Sequence, residues 1–153
     1  MEVTVRVQAE PFDTAAETAS LTAGRADIGA LVAFTGLCRD EGGRLAALEL
    51  EHFPGMAEAE IARVAADAAN RWPLLGLTVV HRFGRVAPGE SIVLVLAASS
   101  HRRAAFEAAD FLMDYLKTRA PFWKREHLAD GSTGGWIEAK EADERASERW
   151  SQA

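Results

Sequence analysis

Apolar and polar positions alternate at the start of the chain, where Val3, Val5 and Val7 are separated by Thr4 and Arg6; this period of two predicts a half-buried strand. Pro11 ends it, Asp13 caps a short helix over TAAETASLT, and Gly24 stops that helix. Residues 30–38, ALVAFTGLC, are almost wholly apolar and predict a central strand, with Gly36 marking a bulge or a close backbone approach. Alternation resumes from Leu45 to Phe53, so residues 30–53 read as a hairpin whose charged tip is Arg39 to Gly43.

After the Pro54-Gly55 turn the period changes to that of a helix. Ile61, Val64, Ala65 and Ala68 fall on one face of a segment from Met56 to Trp72, which Pro73 ends. Leu77 to Val86 and Ser91 to Ala98 predict two more strands around the turn Ala87-Pro88-Gly89-Glu90. A long helix follows. Ser99 and Ser100 are suitable caps, His101, Arg102 and Arg103 then fill its first turn, and Phe106, Ala109, Met113 and Leu116 make its apolar face. Pro121 requires it to stop near Thr118 or Arg119. Residues 129–135 have loop composition, Trp136 to Ala139 a short strand's, and residues 140–153 form a charged tail, helical or frayed and suited to contacting a partner. Together these elements predict one α+β domain over residues 1–153, with a mostly antiparallel sheet and about three helices.

Composition narrows the function classes. The chain has 153 residues, 48% of them hydrophobic, and a net charge of −6, which suits one soluble core and argues against general nucleic-acid binding. The charge is uneven, since the stretch from Ser99 to Glu126 carries +2 and the remainder −8. A small anionic ligand fits a local basic site on an acidic body better than a polyanion does. No run of about 18 apolar residues occurs and the N-terminus lacks a signal core, so a cytosolic protein without membrane contact is expected. Cys38 is the single cysteine, which excludes an internal disulfide, and a small buried hydrophobe is its plainest reading. His52, His81, His101 and His127 are too scattered for a local metal motif, and no phosphate-loop, dinucleotide or serine-elbow motif occurs.

Candidate chemistry gathers around the long helix. His101, Arg102 and Arg103 sit where unpaired backbone N–H groups favour an anion, although a solvated basic turn has the same sequence. Lys117 lies in the last turn and Lys124 follows beyond the proline. If the fold brings the two amines together beside Phe122 and Trp123, mutual repulsion and desolvation favour a neutral, nucleophilic amine. Otherwise Lys117 caps a helix and Lys124 is an ordinary surface residue. Trp123 either packs or lines a pocket for a flat heterocycle.

Six stretches carry a resemblance to a known family. They are FTGLCRD (34–40), LEHFPGM (50–56), RWPL (71–74), HRFGRVAPGE (81–90), SSHRRAAFEA (99–108) and, most specifically, MDYLKTRAPFWKRE (113–126). In these the chain resembles the catalytic (large) subunit of molybdopterin synthase, from about Gly29 to Trp150. The resemblance implies an α/β-hammerhead-like fold and a sulfur transferase that converts cyclic pyranopterin monophosphate to molybdopterin by building its dithiolene. It implies a small ubiquitin-like sulfur-carrier partner (MoaD type) that brings sulfur as a C-terminal Gly-Gly thiocarboxylate, and a heterotetramer with a homodimer of the large subunit at its centre. No metal or resident cofactor is implied. Lys117 and Lys124 match the family's active-site lysines; Arg39, His101 and Arg102 match its anion-binding positions, with Arg103 a weaker candidate. The chain ends Ser151-Gln152-Ala153 rather than Gly-Gly, so a separate sulfur donor is expected. The tip from Asp40 to Arg44 is short, and the glycine-rich segment 131–135 bears on how the C-terminal part meets the partner. A pterin- or phosphate-binding paralogue without catalysis, and a groove for an extended peptide, are the competing readings.

Overall fold

A computed structural model describes residues 1–119, 121–137 and 148–152. The elements in chain order are β1 (Glu2–Gln8), α1 (Thr14–Thr22), β2 (Ala30–Leu37), β3 (Leu45–His52), α2 (Met56–Arg71), β4 (Leu74–Arg82), β5 (Gly84–Val86), β6 (Ser91–Ser99), α3 (Arg102–Thr118) and β7 (Phe122–Leu128), followed by a 3-10 turn at Arg149–Gln152. The fold is α+β, as the sequence predicts.

Four strands form the main sheet in the order β1-β4-β6-β2, with β1 parallel to β4 and the other pairs antiparallel. Both of its faces are covered. Val93, Val95 and Ala97 of β6 point into a core shared with α2 and α3, while the alternate residues Leu94, Leu96 and Ala98 meet Leu21 of α1 on the other side. Two-sided burial is why β4 and β6 read as unbroken apolar runs.

The second sheet, β5-β3-β7, is antiparallel and smaller. Its existence corrects three sequence expectations. Residues 30–53 do not form a hairpin: β2 pairs with β6, whereas β3 pairs with β5 and β7. At Gly36 the β2 register shifts, and a Cβ there would lie 2.8 Å from Val93 Cγ1, so a larger residue would force Val93 to move. Beyond it, the Cys38 N–H donates to Glu90 O and its carbonyl accepts from Gly89 N, which ties the chain to the β5–β6 turn and sends it into the other sheet. For the same reason β2 is an edge strand, not a central one. The predicted strand from Leu77 to Val86 is likewise two strands in two sheets. Gly84, at φ +83°, makes the break in a conformation that side-chain-bearing residues rarely adopt.

Strand β7 was not expected from the sequence, because FWKREHL shows no clean alternation. Its partners hold it in place. Glu49 of β3 stands opposite Arg125 and accepts hydrogen bonds from Arg125 Nε at 2.9 Å and His127 Nε2 at 2.7 Å. The His127 bond, then that from Arg125, lowers the Glu49 carboxyl below its ordinary range.

Aromatic rings join the two sheets. His81 of β4 lies almost parallel to Phe122 of β7, with centroids 3.8 Å apart, and His52 of β3 sits 5.9 Å from Phe122 and 4.5 Å from Phe83. His81 is buried, and its Nδ1 donates to the Arg82 carbonyl at 2.8 Å. Burial foremost, then the charges of Lys124 and Lys117, push its pKa down to about 4.

Helix α3 buries Ala104, Ala105, Ala108, Ala109, Phe111, Leu112 and Leu116. Ala109 and Leu116 were expected there, but Phe106 is 60% exposed because the buried face is turned toward the alanines, whose small side chains let the helix approach the sheet closely. The predicted strand at 136–139 reduces to a bridge between Ile137 and Lys124, and Glu138 and Ala139 lie outside the described residues. Trp136 is 41% exposed, with the Arg125 guanidinium 4.3 Å from its ring. Of the predicted tail, residues 148–152 are described and include a helical turn. Trp150 there donates from Nε1 to Asp114 Oδ2 at 2.6 Å and meets the rings of Trp72 and Phe111 edge-on.

Two outcomes are expected. The unfolded chain takes up a proton at His81 near pH 6.5, whereas the folded chain does so only near 4. Stability contributed by the neutral ring is therefore complete above about pH 6.5 and declines by up to about 3 kcal/mol as pH falls to 4. Urea denaturation at a series of pH values should show this slope, and His81→Phe should flatten it. Trp150→Ala should cost about 2 kcal/mol by removing half-buried ring contacts, which thermal denaturation reads as a lower midpoint.

Candidate active site

A cavity of about 980 Å³ opens where α3 ends, lined by residues from β2, β3, β4, β6, α3 and β7. Lys117 reaches it from the last turn of α3 and Lys124 from the middle of β7. Pro121 makes this possible. The helix closes with the Arg119 N–H donating to Tyr115 O at 2.7 Å, and the proline turns the chain back into a strand that pairs with β3. The fold thus brings to one cavity two amines that sequence periodicity could not place together.

Register fixes Lys124 further. It stands opposite Leu50 of β3, and its backbone exchanges hydrogen bonds with Ile137 on its other side at 3.2 and 2.6 Å. Trp123 also lines the cavity, with Phe53 edge-on at 5.4 Å. Arg39, just past β2, lies at the rim, where its guanidinium meets Glu41 at 2.5 Å with both side chains largely exposed. Such a pair contributes little to stability, so Arg39 can turn to an incoming anion at small cost. Asp40, Glu41 and Glu126 are the acids of the lining.

Cys38 forms part of the wall but is buried, and burial raises its thiol above the ordinary range. It is held protonated, a poor nucleophile, in keeping with the expected small buried residue. His81 lines the cavity as well; the sequence offered no signal for this beyond its place on a strand.

His101, Arg102 and Arg103 are elsewhere. Ser99 belongs to β6 and donates to Pro73 O at 2.8 Å, so the N-cap of α3 is His101, and only Arg102 and Arg103 of the cluster lie in the first turn. All three are exposed, Arg103 lies 3.6 Å from Glu107, and none lines the cavity. From Arg102 to Lys117 the helix rises by about 22 Å. Within one chain the structure unites Arg39, Lys117 and Lys124 and leaves the basic cluster at the far end of α3.

The described residues contain no group of His, Cys, Asp or Glu suited to a metal ion. The cavity can hold an anionic, partly aromatic molecule. Its amines can bind a carboxylate or phosphate, or act on an acyl carbon.

Comparison with known proteins agrees with this chemistry. The family described as MoaE protein matches residues 7–119. A molybdopterin synthase catalytic subunit from Mesorhizobium japonicum is 71% identical over 147 residues, covering 96% of this chain and 92% of that protein. The solved molybdopterin biosynthesis MoaE protein from Burkholderia ambifaria superposes with a TM-score of 0.84 at 46% identity, covering 99% of each chain. That of molybdopterin synthase from Staphylococcus aureus gives 0.74 at 30% identity, over 84% of this chain and 95% of that one. With matches of this identity and extent, the protein belongs to the MoaE family.

Proposed function

We propose that the protein is the catalytic subunit of a molybdopterin synthase, adding two sulfurs to cyclic pyranopterin monophosphate to make the dithiolene of molybdopterin. The observation that carries this reading is the meeting of Lys117, Lys124 and Arg39 at one cavity beside Trp123. Family membership and relatives named as catalytic subunits support it.

A catalytic subunit implies another subunit. The partner is a small ubiquitin-like sulfur carrier whose C-terminal Gly-Gly thiocarboxylate enters the cavity. Cations suit both its anionic terminus and the cyclic phosphate, and glycines, having no side chains, let an extended tail pass into a narrow site. One lysine engages the carbonyl end of that tail and the other handles protons or anchors the pterin. The reaction runs in the cytoplasm, consistent with the absence, among the described residues, of any helix long and apolar enough to cross a membrane.

His101 and Arg102, with Arg103 as a weaker contributor, act on the phosphate and pterin through a second copy of the chain. About 22 Å of helix separates them from Lys117, more than a monophosphorylated pterin spans. A dimer in which the start of α3 in one copy faces the cavity of the other removes the gap.

Lys117→Ala and Lys124→Ala should each reduce product about 100-fold or more while leaving the fold intact. The assay mixes the protein with thiocarboxylated partner and cyclic pyranopterin monophosphate, then oxidises the product to a fluorescent pterin. Pterin binding without turnover by the unaltered protein would instead favour a binding paralogue. Mixing Lys117→Ala with Arg102→Ala chains and letting subunits exchange should restore about a quarter of normal activity, because half the dimers are mixed and each has one intact composite site. No recovery would refute the shared site.

A further inference from the structure

His81 is only 7% exposed, yet its ring lines the cavity that holds Lys117 and Lys124. Its Nδ1 meets the Arg82 carbonyl at 2.8 Å, and since a carbonyl only accepts, the proton of the neutral ring sits on Nδ1. That leaves a lone pair on Nε2. No described side chain has a buried polar atom without a partner, so Nε2, which has no such bond of its own, is not sealed in the core; it opens on the cavity.

The ring has a fixed relation to β7. It stacks on Phe122 at 3.8 Å and 16°, and Phe122 and Lys124, two residues apart on one strand, project from the same face. The stack therefore sets Lys124 on the side where His81 lies. Three charged or titratable groups act on the imidazole from the elements around it: Lys124 of β7, Lys117 of α3 and His52 of β3. Together with burial they keep it neutral down to about pH 4, so above that pH it is an acceptor while a lysine is still an ammonium ion. The stack on Phe122 and the Nδ1 bond to the Arg82 carbonyl account for the ring's place in the core, but neither calls for an open acceptor at Nε2.

We propose that His81 is a positioning residue for Lys124, its Nε2 accepting a hydrogen bond from the Lys124 ammonium and fixing where that amine stands in the cavity. The ammonium has three donors, so this bond is compatible with other contacts of Lys124. The inference rests on the reading of Lys124 as a site residue.

The test uses the full-length protein labelled with ¹⁵N and ¹³C. In the unaltered chain, ¹⁵N shifts of His81 should show the proton on Nδ1 and a hydrogen-bonded, unprotonated Nε2; a proton on Nε2 overturns the proposal. The Lys124 signal, assigned by its loss in Lys124→Arg, should titrate at lower pH in His81→Phe, which keeps the stack but removes the acceptor. It should return toward normal in His81→Gln, whose carbonyl stands near the place of Nε2. An unchanged Lys124 titration in a folded His81→Phe overturns the proposal. In the complex with thiocarboxylated partner, His81→Phe should lower kcat about tenfold or more with little change in KM, and His81→Gln should recover much of it. An unaltered protein that makes no molybdopterin would refute the synthase reading, while the tautomer and the lysine titration would still decide the role of His81.

Discussion

The ring stack between His81 and Phe122 is the joint on which the site depends. With the Cys38 backbone bonds to Gly89 and Glu90, it holds the smaller sheet against the main sheet, which is covered on both faces. Parallel rings at 3.8 Å bury apolar area, and the backbone bond at Nδ1 keeps the imidazole from turning. The cost is a buried titratable group that must stay neutral, with two lysines nearby that help to keep it so. The same geometry that closes the core therefore also sets the electrostatics of the cavity.

How far the sequence could be read follows from how local each cause is. Helix α2 and its buried residues Ile61, Val64, Ala65 and Ala68 were legible because a period of 3.6 and a terminating proline act within the segment. The apolar runs of β4 and β6 were legible for a similar reason. Strand pairing was not. Whether β2 returns to β3 or crosses to β6 is decided by the shift at Gly36 and by backbone bonds from Cys38 to Gly89 and Glu90, residues some fifty positions away in the chain. Strand β7 escaped notice because its order comes from Glu49 on another strand, not from its own alternation. Phe106 misled because hydrophobicity favours phenylalanine over alanine, whereas close packing against the sheet favours the alanines.

The site divides along the same line. That α3 ends near Thr118 with Lys117 in its last turn could be read from Pro121. That Lys124 then shares its cavity requires the β3–β7 register, which no local rule supplies. His101, Arg102 and Arg103 were legible as a basic cluster at a helix start, but their distance from the lysines is a consequence of helix length: sixteen residues of rigid rise cannot be folded back. The helix that buries Phe111 and Leu112 in the core thus also keeps the basic cluster and Lys117 too far apart for one small molecule to touch both within a single chain.

The cavity also bears on how sulfur is delivered. An enzyme that carried sulfur on its own cysteine would need that thiol exposed and its pKa lowered by neighbouring cations. Cys38, the one cysteine of the chain, is buried, held between backbone bonds to the β5–β6 turn, and pushed toward the protonated form by burial. Lysines, not a thiol, line the accessible part of the cavity. Amines do not store sulfur, but they can hold an anionic terminus and respond to charge developing on an acyl carbon. A cavity of this composition is suited to receiving sulfur already activated as an acyl derivative, and an external carrier is then a requirement of the chemistry and not an accessory to it.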